Sequence, residues 1–199
     1  MKSLILKIVL FIVIIFLGYM VYDSINKPLE FQKEKDKREL EVVQRLKDIR
    51  EVQTLYKQAY NKYSPSFDSL ITFLKTGEIP VVKVIPDPED TTFTKTISDT
   101  LGYVKVADSL FGKRPNFKLE NLRYIPFSGK KEFELDAGSI DRGGVEVSVF
   151  EAKAPFITYL KGLEEQRIYN IIAAEEDIEK FPGLKVGSMT EPSTDGNWE

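Results

Sequence analysis

Residues 40–63 read LEVVQRLKDIREVQTLYKQAYNKY, and their spacing decides the fold. Val42, Ile49, Tyr56 and Tyr63 recur every seven residues, while Leu46, Val52, Ala59 and Tyr60 fill the neighbouring stripe. Apolar residues at that spacing share one face of an amphipathic helix. Two partners could cover this face: the chain's own sheet, or a second copy in a coiled coil. A coiled coil needs heptads sustained over several repeats, and Gln53 interrupts one stripe, so packing on the chain's own sheet is favoured. Val42, Leu46, Ile49, Val52, Tyr56, Tyr60 and Tyr63 form the candidate interaction stripe, with its tyrosines expected at the core margin.

Toward the N-terminus, residues 33–39 (KEKDKRE) are seven consecutive charges of mixed sign with no apolar face. They predict a solvated helical stalk supported by pairs such as Glu34 with Arg38; contact with lipid headgroups or a partner is the alternative. Pro28 is expected to end or kink the preceding helix. That helix, residues 1–22 (MKSLILKIVLFIVIIFLGYMVY), contains no acid. Its uncharged run, residues 8–22, spans about 22 Å as a helix. With Leu4, Ile5 and Leu6 added and Lys7 snorkelling, it approaches the ~30 Å thickness of a bilayer's hydrocarbon. Tyr19 and Tyr22 suit an interfacial aromatic belt. A cleaved signal peptide competes, but residues 17–22 supply only Gly18 as a small cleavage-site residue. Residues 4–22 therefore read as an uncleaved membrane anchor. Lys2 and Lys7 place the N-terminus in the cytoplasm, because long domains translocate despite flanking bases such as Lys33, Lys37 and Arg38. The expected organisation is anchor 1–22, charged stalk 23–41, exported α+β domain 42–189 and irregular acidic tail 190–199.

Toward the C-terminus, Ser64-Pro65-Ser66 separates the striped helix from a second one carrying Phe67, Leu70, Ile71 and Leu74, closed by Gly77. A strand is expected at 81–85 and a loop at 86–90. The threonine-rich stretch 91–106 offers Tyr103, Val104 and Val106 as strand residues. Segments 122–127 and 131–135 flank Ser128-Gly129 as a hairpin. Val145, Val147 and Val149 alternate with polar residues after Gly143-Gly144, the pattern of a half-buried strand. A late helix covers 163–172. Helices first and strands later predict an α+β fold with a mostly antiparallel sheet. Residues 164–199 hold nine acids against three bases, with Trp198 placed to pin the tail.

The 199 residues include no histidine and no cysteine, which excludes histidine-dependent triads, thiol nucleophiles, disulfides and imidazole or thiolate zinc sites. A net charge of −3 argues against a nucleic-acid partner. Three acidic groups are candidate metal ligands: Asp87/Glu89/Asp90, Asp136/Asp141 and Glu175/Glu176/Asp177/Glu179. None shows a calcium-loop spacing, so ordinary polar loops and a helix face are the simpler reading. No phosphate-cradling or nucleophile-elbow motif occurs, and neither a catalytic residue nor a cofactor is expected.

Residues 45–80, RLKDIREVQTLYKQAYNKYSPSFDSLITFLKTGEIP, follow a single N-terminal span and precede a sheet. That order resembles type IV pilins and type II secretion pseudopilins. The chain departs from that family in having no glycine before the apolar run and no carboxylate within residues 8–22; Gly18 and Asp23 reproduce the family's glycine-to-acid spacing on the opposite side of the apolar stretch. The ending FPGLKVGSMTEPSTDGNWE, residues 181–199, resembles single-span envelope proteins of Bacteroidetes. The first resemblance implies a helix packed on a small sheet and a place in an envelope-spanning assembly. The expected function is a non-enzymatic, single-pass protein of the bacterial inner membrane, with a periplasmic domain that contacts other envelope proteins. A ligand- or peptidoglycan-binding module and a carboxylate-only hydrolase are the alternatives.

Overall fold

Helix α1, Lys2–Tyr60, runs through 59 residues without a break, about 88 Å at 1.5 Å per residue. The computed structural model describes residues 2–86, 96–114 and 116–199. Near its N-terminus α1 is long and apolar enough to cross a membrane. From Leu6 to Ile25 its large apolar side chains stand exposed, and the first buried one is Phe31.

Pro28 lies inside α1, so of the two outcomes expected of it, an end or a kink, it does not end the helix. Proline removes one N–H and crowds the preceding turn, a cost of about 3 kcal/mol. Packing that begins one turn later, at Phe31, offsets that cost. The charged run at 33–39 also departs from expectation, because it packs on the domain. The Arg38 guanidinium donates 3.0 Å hydrogen bonds to the carbonyls of Tyr159 and Lys161. The Tyr159 hydroxyl donates to Glu39 at 3.4 Å. Carbonyls left free at a helix end accept such donors, and the long aliphatic stems cover apolar neighbours.

Beyond α1 come α2 (Phe67–Thr76), β1 (Glu78–Pro86), β2 (Thr96–Lys105), α3 (Val106–Phe111), β3 (Glu134–Arg142), β4 (Val145–Pro155), α4 (Phe156–Tyr159), α5 (Glu165–Glu176) and β5 (Gly183–Gly187). The class is α+β with two antiparallel sheets, a β1–β2 ribbon and a three-stranded sheet of order β3–β4–β5. The upper half of α1 lies against the three-stranded sheet and α2. Phe150, Ala152, Ala154, Leu184 and Val186 of β4 and β5 join Leu46, Ile49 and Leu70 in one core. β4 is half-buried only at its start, since Val145 is exposed and the strand is largely buried from Val149 onward. At the β3–β4 turn Gly143 and Gly144 adopt φ of +64° and +85°, and Asp141 accepts the Gly144 N–H at 2.9 Å.

The hairpin expected around Ser128-Gly129 is largely replaced by irregular structure. Leu119–Arg123 is a 3-10 turn whose Leu122 is buried, and a single bridge, Tyr124 to Glu132, remains of the ladder. Ser128 closes the loop with its hydroxyl, donating to the Ile125 carbonyl and accepting the Lys131 N–H. The 190–199 tail is tied down along the β5 edge. Gly187 donates to the Asp195 carbonyl, Asn197 to the Lys185 carbonyl, and Arg50 pairs with Glu199 at 2.8 Å. Residues 87–95, which include Asp87, Glu89 and Asp90, lie outside the described residues.

Candidate functional site

The stripe on α1 divides into a buried part and a surface part. Val42, Leu46, Ile49 and Val52 are wholly buried in the chain's own core, and Tyr63 joins them with its ring 4.7 Å from Phe150. Those five residues face the chain itself, leaving Tyr56 half-buried and Tyr60 54% exposed. Gln53 belongs to the same buried face. Its amide donates to the Ser64 carbonyl at 2.7 Å and accepts the Ser64 N–H at 2.9 Å. It satisfies the backbone of the turn into α2, so a polar residue inside an apolar stripe costs little.

Asp48, another polar residue on α1, is 1% exposed. Arg114 grips it with two hydrogen bonds of 3.0 and 2.7 Å, and Gln44 adds a third at 3.0 Å. The Asp48 carboxylate holds the Arg114 pKa above its ordinary value, whereas burial pushes that of Arg45 down. Both guanidiniums lie over aromatic rings: Arg45 over Phe117 at 4.9 Å, and Arg114 over Phe111 at 5.1 Å. Phe111 stacks on Phe117 at 4.4 Å. This cluster fastens α3 to α1. Because β2 runs directly into α3 and Val106 donates to the Gly77 carbonyl, it also fixes the base of the β1–β2 ribbon.

The ribbon leaves the core from that base. Val81 is 41%, Leu101 64% and Tyr103 68% exposed. Its ladder pairs Glu78 with Lys105 and Lys83 with Asp99, opposite charges across the strands. A register shift between Val81 and Val82 leaves Leu101 as the extra, bulged residue of β2, and Pro80 has no N–H to offer a further strand. The ribbon's side chains at Val81, Leu101 and Tyr103 are thus exposed, and its edges are poorly suited to strand addition.

Among the described residues, no three or more acidic side chains converge to hold a metal ion. Asp141 is spent on its turn. Glu151, which the sequence does not single out, is 6% exposed between Lys153 at 2.5 Å and Lys185 at 3.0 Å. Burial pushes its pKa up, but hydrogen bonds from both lysines outweigh that and hold it below the usual carboxylate range. The Tyr159 hydroxyl, buried beside Glu39, is pushed far above the ordinary tyrosine pKa and stays protonated. Glu151 is thus a paired, buried ion, and Tyr159 a neutral hydrogen-bond donor to Glu39. Comparison with family models, curated proteins and solved structures found no match to this chain.

Proposed function

We propose that this chain is a non-enzymatic, single-pass membrane protein of the bacterial envelope that presents a rigid contact surface to other proteins. On this reading the N-terminus is cytoplasmic, residues 4–22 cross the inner membrane, and the α+β domain is periplasmic, joined to the span by one continuous helix. The observation that carries it is the continuity of α1, whose apolar exposed half becomes a buried core helix without interruption. Phe31 docks about 9 Å beyond Ile25, so the domain stands directly on the bilayer surface. The end of α1 at Tyr60 then lies about 52 Å above Ile25 along the helix, which sets the height of α2 and of the ribbon that follows it. A bare ribbon held at fixed height supports a role in an envelope-spanning secretion or surface-assembly apparatus.

The test is site-specific photocrosslinking in whole cells from Leu101 and Tyr103, followed by purification in mild detergent. Discrete crosslinked species, lost when the crosslinker is moved to the buried position Ala152, support the proposal. A chain that purifies alone and crosslinks to nothing from either ribbon position overturns it. A periplasm-dependent reporter fused after Glu199 checks the orientation, and activity only in the cytoplasm reverses it.

A further inference from the structure

The turn between α4 and α5 reaches back along α1 toward the apolar span. Its Leu163 and Glu164 line one hollow with Lys27 and Phe31. Lys27 lies about 8 Å beyond Tyr22 along the helix, at the outer edge of a headgroup layer ~5–8 Å deep. Arg38 holds this end of the domain together. It donates to the carbonyls of Tyr159 and Lys161 and lies 5.3 Å over the Phe127 ring, so the loop that carries Lys130 and Lys131 sits beside the turn. Between loop and turn is a second hollow of about 270 Å³, lined by Ile157, Ile168 and Tyr169 with Lys131, Lys161 and Glu165. Its apolar rim is open, Ile157 being 47% and Tyr169 56% exposed. Elsewhere in the domain Lys75, Lys153 and Lys185 are held by carboxylates, whereas Lys130, Lys131 and Lys161 have none within ion-pair distance among the described residues. The first hollow is different: Glu34 and Glu164 are paired with Arg38 and Arg167, and Lys27 with Asp23, so its charges are mostly spent.

We infer that this second hollow seats the headgroup of an acidic phospholipid of the bilayer that α1 crosses. Two observations select that occupant. One is position: the unbroken helix continues from the exposed apolar run into the domain, so lipid headgroups are what lies beside the α4–α5 turn. The other is charge, since Lys131 and Lys161, with Lys130 next to them, face the single carboxylate of Glu165. A lipid phosphate between the two lysines supplies the missing partner, and each lysine near an anionic surface contributes about fivefold in affinity. Ile157 and the Tyr169 ring then meet the glycerol and upper acyl region, where amphipathic aromatic rings are at home. Free phosphate would gain the lysines but leave that apolar rim in water. A spanning helix tilts by about 20° on average, and α1 transmits its tilt rigidly, so the lysine side is the side on which the domain leans. The inference rests on the reading of residues 4–22 as a membrane span.

The chain has no cysteine, so a single fluorophore can be placed on Ile157→Cys. The labelled full chain is put into nanodiscs carrying a headgroup-level quencher lipid, in phosphatidylcholine alone or mixed with phosphatidylglycerol. Phosphatidylglycerol should raise the ratio of lipid-contacting to free domain about fivefold or more. Inorganic phosphate added to phosphatidylcholine discs should not reproduce that gain. Lys131→Glu combined with Lys161→Glu should abolish it, whereas Lys62→Glu, at the far end of α1, should leave it intact. Lys131 and Lys161 are exposed, so the reversed variant should keep the parent's circular dichroism and melting temperature. A label on Thr72→Cys, on α2, should escape quenching in both discs, and one on Tyr22→Cys should be quenched in both. If the Tyr22 label is not quenched, the membrane reading fails and takes the inference with it. If it is quenched but the Ile157 label shows no dependence on phosphatidylglycerol, or one that the two charge reversals leave unchanged, the inference alone is overturned.

Discussion

The β3–β4–β5 sheet and the β1–β2 ribbon are both antiparallel and have strands of comparable length, 9 and 11 residues for β3 and β4 against 9 and 10 for β1 and β2. Their side chains meet opposite fates. On the larger sheet Phe150, Ala152, Ala154 and Val186 lie against α1, and the tail lines the β5 edge. On the ribbon Leu101 and Tyr103 stand in solvent. A two-stranded ribbon is marginal by itself and relies on what holds its base. Here that base is α3, clamped to α1 by Arg114 and Asp48. The difference shows that a covering helix, and not strand propensity, separates the core sheet from the presented one.

The strongest way to break the contrast is to remove the cover. Ile49→Asp places an unpaired carboxylate in the core, which costs several kcal/mol against a typical total of ~5–15 kcal/mol. The domain should lose its cooperative melt by circular dichroism. A mutant that keeps the melt shows that α1 does not hold the larger sheet.

Asp48→Ala should cost less, about 1–3 kcal/mol, because Arg114 is partly exposed and can regain water. Its effect should be local. Hydrogen exchange should quicken at Lys105 and Val106 while Phe150 and Ala152 remain protected, and uniform loss of protection would refute a separate anchoring of the ribbon.

The Glu151 triad gives the larger sheet a pH dependence. A carboxylate with a lower pKa when folded stabilises fully above its unfolded value, near 4.5, and loses that contribution as pH falls through the folded value. Glu151→Gln should therefore flatten the fall in melting temperature below pH 4.5, and a parallel curve would deny the triad that role.

The smallest expected effect belongs to the ribbon. Leu101→Ser and Tyr103→Ala should each shift stability by no more than about 0.5 kcal/mol in denaturant melts. Each should nevertheless weaken the crosslink formed from the other position. A large loss of stability would mean that the ribbon is part of the core.

Much of the helical layout was legible locally. The seven-residue recurrence of Val42, Ile49 and Tyr56 predicted a buried helix face, and the apolar run at 8–22 predicted a long apolar helix. The glycine pair 143–144 predicted the β3–β4 turn. Each of these signals lies within a few turns of chain, where period and backbone freedom act directly. The candidate stripe was legible as one apolar face, but its division into a core part and an open Tyr56–Tyr60 end was not, because α2 decides which rings are covered.

Other features depend on partners far away in sequence. Residues 33–39 read as a solvated stalk because nothing local reveals that the Tyr159 and Lys161 carbonyls wait for Arg38. Gln53 reads as an interruption until the Ser64 backbone closes on its amide, and only the fold brings Lys185 from β5 onto Glu151. Composition and period determined which segments are helical and which faces are apolar, since those follow from local spacing. Tertiary structure alone decided which charges are buried, how the tail is held and which sheet is left bare. A buried polar group or a covered face is stable only when a distant segment supplies its partner.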